Sequence, residues 1–304
     1  MGTFLGETNS KSDQMKSSLR ANVDEATVAG FGEEWTAYDQ AGLSPEELEA
    51  AFARYFRIFP WNCVPPNADG FDAGCGSGRW ARLVAPRVRK LHCFDASAEA
   101  LAVAKRNLAG CANCEFHETS VEDLPFPDSS MDFGYSLGVL HHIPDTQDGI
   151  TACVRKLKPG APFLVYLYYA LENRPLWFRC LWRGSDALRR CICTLQKEKK
   201  LFITGLIARF VYWPLARLSL IIERLGVSVE SIPLSMYRHA SFYSMQTDAL
   251  DRFGTRLEKR FTAQSIRSML ESAGLCDIQF SDAPPYWCAM GFRRPPNDTQ
   301  RGQW

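Results

Sequence analysis

Phe71-Asp-Ala-Gly-Cys-Gly-Ser-Gly-Arg-Trp80 is the stretch whose reading decides the fold. It follows a short apolar run that starts at Asp69 and leads into a helical pattern, so it sits at a strand-to-helix turn. Glycines 74, 76 and 78 let the backbone turn tightly and approach a ligand closely, because a Cβ would collide there. The helix that follows offers unpaired N–H groups at its start. Two rivals fail on spacing. A dinucleotide turn reads G-x-G-x-x-G and needs a glycine where Arg79 stands, whereas the glycines here run G-x-G-x-G. A phosphate-binding P-loop needs Gly-Lys-Ser/Thr, which does not follow.

Outward from this turn, Asp69 to about Ala170 alternates short apolar runs with helical patterns, as βαβ units do. Strands are expected near 69–74, 90–95, 114–119, 131–138 and 161–169. Ser97 caps the clearest helix, Leu101, Ala104 and Leu108 form its stripe, and Gly110 stops it. A second helix follows Asp145 and ends at Lys158-Pro-Gly160. Right-handed crossovers place the strand C-terminal ends, and with them the ligand site, along one edge of the sheet. After Phe261, Thr262 caps a helix with Ile266, Met269, Leu270 and Ala273 on one face, and Gly274 ends it. Runs at 276–281 and 286–292 then suggest a closing antiparallel pair. The expected fold is α/β: a doubly wound, mostly parallel sheet, closed by antiparallel pairing and carrying a helical insertion.

The glycine turn does not stand alone, and with its neighbours the chain resembles class I S-adenosylmethionine-dependent methyltransferases of the small-molecule type 11 kind, over Asp69–Gly160 and Phe261–Arg293. Asp72-Ala-Gly-Cys-Gly-Ser-Gly78 is similar to that family's first motif. Asp95 stands where the family's acidic residue holds the ribose hydroxyls, and a carboxylate, which only accepts, can take both. Leu124-Pro-Phe-Pro-Asp128 with Met131-Asp-Phe-Gly-Tyr135, then Leu140-His-His-Ile-Pro-Asp145 and Leu157-Lys-Pro-Gly160, resemble the segments around the fourth and fifth strands. The resemblance implies a Rossmann-like methyltransferase sheet, S-adenosylmethionine as cofactor, and cofactor contacts from Asp72, Gly74, Cys75, Gly76, Gly78, Asp95, Ala96, Val121, Glu122 and Leu137. Ser120 stands where the family often has the acidic residue for the adenine amino group, with Glu122, Asp123 or a backbone acceptor as replacements. No metal is required. If the acceptor is a hydroxyl, His142, or else His141, is the general base expected, imidazole having the right intrinsic pKa; for either, packing or capping the next helix is the competing role.

The remaining boundaries follow. Residues 1–30 are polar and expected as a flexible arm, and 295–304 as a flexible tail. Ser44-Pro-Glu-Glu-Leu opens a helix, so 31–60 is expected as a helical lid, with Trp35 or Tyr38 near the site or Trp35 simply anchoring the lid. The core spans 61–170 and 261–294, and the insertion 171–260 is expected as a substrate cap. No secretory signal is evident. Eleven cysteines without framework spacing fit a reducing compartment, so the expected location is the cytoplasm. Cys111-Ala-Asn-Cys114 with His117, and Cys191-Ile-Cys193, lack the second pair that a structural zinc site needs.

Net charge is +1, which argues against a nucleic-acid partner, but the insertion carries 16 Lys and Arg against 8 Asp and Glu. Its net +8 favours an anionic acceptor or surface. Within it, Leu201–Ile222 is apolar, but Arg209, Arg217 and Pro214 interrupt it. Lysines 197, 199 and 200 precede it. The segment is expected to pack onto the core as an ordinary lid, and the alternative is peripheral membrane contact through 197–222, since the pattern is also that of a helix lying at a membrane surface. The function expected is methyl transfer to a small-molecule, sugar or lipid-linked acceptor. Two alternatives are a catalytically silent cofactor-binding module and a nicotinamide-dependent oxidoreductase.

Overall fold

The computed structural model describes residues 22–229 and 231–295. Seven strands form one sheet in the order β3-β2-β1-β4-β5-β7-β6. They are β1 (Asp69–Ala73), β2 (Lys90–Asp95), β3 (Cys114–Glu118), β4 (Phe133–Leu137), β5 (Pro162–Tyr166), β6 (Leu275–Phe280) and β7 (Cys288–Arg293). The first five run parallel, and β7 runs antiparallel between β5 and β6. The doubly wound, mostly parallel sheet with a closing antiparallel pair is therefore present as expected.

Both faces of the central strands are buried, which is why they read as continuous apolar runs. Phe71, Phe94 and Phe163 fill one face with Ile150, Leu157 and Leu270. Leu91, Phe133, Tyr135 and Leu164 fill the other with Trp80 and Leu101. The crossover helices carry the caps expected of them. Ser97 accepts from the Ala100 N–H to start α4 (Ala98–Asn107), and Asp145 accepts from Asp148 to start α5 (Thr146–Lys156). Between β1 and β2 lies the short α3 (Ala81–Val84).

The lid begins earlier than expected. Helix α1 (Glu25–Ala37) starts inside the expected 1–30 arm, because Asp24 accepts from the Thr27 N–H and caps it. Residues 1–21 and 296–304 of the expected arm and tail lie outside the described residues. Ser44 caps α2 (Pro45–Tyr55), whose Phe52 stacks on Phe56 at 4.2 Å in an aromatic cluster against the core.

The insertion is helical: α6 (Leu176–Ile192), α7 (Lys197–Ile207), α8 (Trp213–Arg224) and α9 (Phe242–Gly254). Pro214 does not break the apolar run. A π-turn over Ala208–Tyr212 joins α7 to α8, giving one 28-residue helix, Lys197–Arg224, long and apolar enough to cross a bilayer by length and composition. A π-turn frees the local hydrogen-bond register, and so the proline's missing N–H is absorbed. The exposed large apolar side chains among the described residues all fall between Leu176 and Met236. After the insertion comes α10 (Ala263–Ser272), capped by Thr262.

Candidate active site

The glycine turn, the lid and the insertion enclose one cavity of about 1570 Å³ at the C-terminal edge of the parallel strands. Its floor is built by the turn. Gly74 has φ +81° and Gly76 φ +53°, conformations that L-residues rarely adopt, and a Cβ on Gly76 would stand 2.8 Å from the Trp35 ring. Asp95 fastens the turn to β2: one carboxylate oxygen accepts from the Gly76 N–H at 2.9 Å and the other from Ser97 at 2.9 Å. A carboxylate has about four lone-pair sites. Two are used here, which leaves acceptor capacity for hydroxyls. Burial raises the Asp95 pKa, while the N–H groups of Ser97, Gly76 and Ala96 oppose the rise.

Of the expected cofactor residues, the cavity wall includes Gly74, Cys75, Gly76, Asp95, Ala96, Val121 and Leu137, together with Ser120. Asp72, Gly78 and Glu122 are not on it. Gly78 is a packing residue, since a Cβ there would meet Leu108 at 2.8 Å and push α4 away. Asp72 lies on β1, two residues before Gly74. Its carboxylate oxygens are buried without a hydrogen-bond partner among the described residues, and burial pushes its pKa up to about 8.

The two histidines separate. His141 is fully buried, its ring 3.9 Å from that of Tyr168, and both ring nitrogens lack a partner. Burial, then His142 and Arg260, hold it well below the usual imidazole pKa. It is not on the cavity wall. His142 is on the wall. Its Nδ1 lies 2.6 Å from the Leu257 carbonyl oxygen, which can only accept, so Nδ1 carries the proton. Nε2 is then a free lone pair, buried and unpartnered. Burial lowers the His142 pKa, although Asp251 and Glu258 oppose it, so the ring is neutral at neutral pH. The Phe31 ring of α1 covers it edge-on at 5.0 Å.

Sequence reasoning missed the polar wall opposite. Glu34 from α1 is buried, and burial, reinforced by Asp251 and Asp248, holds its carboxyl well above the usual range. Asp248, on α9, is pushed up to about 6 by burial. One turn on, Asp251 accepts from the Tyr168 hydroxyl at 2.6 Å. Arg79 faces this group from the glycine turn, 4.5 Å over the Trp80 ring. The signal was the spacing of Asp248 and Asp251, three apart on a capped helix, but nothing local says which way that helix faces. The lid and insertion hold each other. The Tyr243 hydroxyl accepts from the Gln40 N–H at 2.8 Å, and Ser244 donates to Glu47 at 2.7 Å.

Residues 71–165 match the family model described as a methyltransferase domain. Over those residues the chain carries a methyltransferase domain, and the sheet and glycine turn are those of the class I S-adenosylmethionine-dependent kind that the sequence resembles. Its cofactor is S-adenosylmethionine, and the site fits that molecule: Gly74, Cys75 and Gly76 of the turn line the cavity, and Asp95 on the same wall keeps unused acceptor capacity. Among curated relatives of this chain, an uncharacterized methyltransferase of Bacillus subtilis is 33% identical over 104 residues, 34% of this chain and 41% of that one. A ubiquinone biosynthesis O-methyltransferase of Paracidovorax citrulli is 29% identical over 171 residues, 52% of this chain and 66% of that one. The chain thus spans less than two thirds of either relative. A solved Haemonchus contortus phosphoethanolamine N-methyltransferase, in complex with phosphoethanolamine and S-adenosylhomocysteine, is 17% identical with a TM-score of 0.41, over 49% of this chain and 34% of that one.

Proposed function

We propose that this protein methylates an oxygen of an amphiphilic, lipid-linked or otherwise apolar small molecule, working in the cytoplasm at an anionic membrane surface. One observation carries the reading. The cavity that holds the glycine turn and His142 continues without interruption to Leu181, Leu188, Val211 and Met236, which are exposed apolar residues of the insertion. A polar acceptor has no use for such a mouth, whereas a hydrocarbon tail does.

When bound, the cofactor supplies an activated methyl group, which leaves the chain to orient the acceptor, exclude water and take a proton. His142 Nε2 is the one expected base that faces the cavity with a free lone pair, and this favours a hydroxyl acceptor. Lid residues Trp35 and Phe31 close the cavity over the turn and over His142. The likeness to ubiquinone biosynthesis O-methyltransferases agrees with an O-methyl product on an apolar molecule.

The anionic partner favoured by the insertion's charge is assigned to the surface and not to the acceptor. On the cavity wall, Arg54 and Arg79 face the carboxyls of Glu34, Asp248 and Asp251, while Arg238, Arg252 and Arg260 are paired with Glu223 or Glu258. Arg183, Lys199, Arg209 and Arg224 are exposed with no ion pair among the described residues, beside the exposed Leu181, Phe202, Phe210 and Ile221. Cations beside an apolar strip suit anionic head groups above an acyl boundary.

The test uses methyl-labelled cofactor and a cell extract split into organic and aqueous fractions. Label incorporated into an organic-soluble product supports the proposal; label only in a water-soluble product overturns it. Co-sedimentation is expected with anionic vesicles, weakened by salt and absent with neutral ones.

A further inference from the structure

On the sheet face opposite Cys93, far from the glycine turn's chemistry, the register of two strands gathers three metal-binding side chains. In the parallel β2–β3 pair His92 stands opposite Glu115, and Phe94 opposite His117. Alternate residues share a face, so His92, Glu115 and His117 emerge together. His92 Nδ1 is 3.1 Å from His117 Nε2 and 3.2 Å from Glu115 Oε2, and those last two atoms are 4.0 Å apart. Ligands held tetrahedrally at about 2.0–2.1 Å from zinc stand roughly 3.3–3.4 Å from one another. Two sides of the triangle, 3.1 and 3.2 Å, fall just under that length, and the third, at 4.0 Å, is longer and closes by a turn of the Glu115 carboxylate.

A hydrogen-bonded triad is the competing account, and it uses the atoms poorly. A carboxylate only accepts, and each neutral imidazole has one N–H. A single proton, on His92 Nδ1 or on His117 Nε2, serves the whole triangle, and the other lone pairs converge on it. A dication replaces that one proton and engages all three donors. The surroundings hold the ligands for it. Phe126 lies 4.7 Å from the His92 ring, and Phe94 stacks on His117 at 5.0 Å. Lys90 pairs with the other Glu115 oxygen, Oε1, at 2.6 Å, which turns Oε2 toward the rings. Support of this kind from neighbours beyond the ligands is what orients ligands in metal sites.

We propose that His92, Glu115 and His117 bind a borderline divalent transition-metal ion, zinc foremost, with the fourth position open to water on the exposed side of Glu115. The ion clips the edge strand β3 to β2. Two imidazoles with one carboxylate are a donor set suited to zinc and its neighbours and unsuited to calcium or magnesium. Asp95 is three residues along β2, roughly 10 Å away, so the ion has no part in methyl transfer. The Cys-x-x-Cys spacing at 111–114 points elsewhere: Cys114 is on β3 with its side chain on the opposite face from Glu115, toward Cys93.

The experiment takes the full chain, stripped with a chelator, and titrates it with cobalt(II) by visible absorption and then with zinc by competition. Expected is one equivalent of cobalt with nitrogen and oxygen ligation and no thiolate charge-transfer band. Zinc should displace it and raise the melting temperature. Glu115 and His117 are not buried, so Glu115→Gln and His117→Gln should fold; each should weaken zinc at least tenfold and abolish the melting shift. Failure to take up cobalt or zinc overturns the proposal in favour of the hydrogen-bonded triad. Uptake that shows a thiolate band, or that persists undiminished in His117→Gln, overturns it in favour of the cysteines on the other face.

Discussion

Gly76→Ala tests how the lid and the glycine turn share space. The new Cβ brings two costs. A left-handed backbone at φ +53° costs an L-residue about 1–2 kcal/mol wherever it sits. The contact at 2.8 Å with the Trp35 ring adds an overpacking cost of about 1–3 kcal/mol. Relief comes from displacing the turn, and cofactor binding must then restore it. At about 1.4 kcal/mol per tenfold, a total of about 2–5 kcal/mol weakens S-adenosylmethionine binding by roughly thirtyfold to a few thousandfold. In a Trp35→Ala background the contact term disappears and only the backbone term, about five- to thirtyfold, remains. Calorimetric titration of all four chains, each checked for folding by circular dichroism, measures the coupling between the two sites. Equal losses in both backgrounds would show that Trp35 does not press on the turn, and the reasoning would fail.

His142→Ala should lower turnover by roughly 10²–10⁴-fold while changing cofactor affinity little; a loss below about threefold in folded enzyme returns the residue to packing. Because burial depresses the His142 pKa, its base form persists below the ordinary pH 6.5, and the acid limb of kcat should fall at a lower pH than a free imidazole would give. The same shift means that the unfolded chain takes up this proton first, so urea stability should be full above about pH 6.5 and decline as pH drops through the folded value. Arg189 is buried and donates to Asp186 at 2.8 Å and to the carbonyls of Thr255 and Arg256. Arg189→Ala should cost about 3–5 kcal/mol in urea unfolding, since it leaves buried acceptors unpaired; a cost below about 1 kcal/mol contradicts that role.

The sheet was legible because its signals are local. Ser97, Ser44 and Thr262 each cap the helix they precede, and the apolar runs of the five parallel strands fall within a few residues of the expected bounds. Asp24 is the same kind of signal, but it lies in a polar stretch with no apolar stripe after it, and α1 was read as arm up to residue 30. The site was legible only where one turn makes it. Gly76 and Asp95 meet through a single hydrogen bond across adjacent strands. Glu34, Asp248 and Asp251 come to the same cavity from segments more than 200 residues apart, and the direction each faces is set by tertiary packing alone. His141 and His142 are neighbours in sequence, yet which ring faces the cavity depends on the Leu257 carbonyl, 115 residues away. The sequence set His117 beside Cys111 and Cys114 and not beside His92 for a related reason: the partnership of the two histidines is written in strand register, which spacing along one segment does not reveal.

The two ends of the insertion are stitched side by side. Phe261 N–H donates to the Tyr168 carbonyl at 2.9 Å, and Ala170 N–H to the Phe261 carbonyl at 2.8 Å, so the chain leaves the core and returns to it through one narrow neck. Loop-closure entropy grows only with the logarithm of loop length, so the core pays much the same for a long excursion as for a short one. A change of length in the helices between Leu171 and Arg260 therefore costs the sheet little in closure entropy, and what such a change disturbs is the contact of Tyr243 and Ser244 with the lid and of the Leu257 carbonyl with His142.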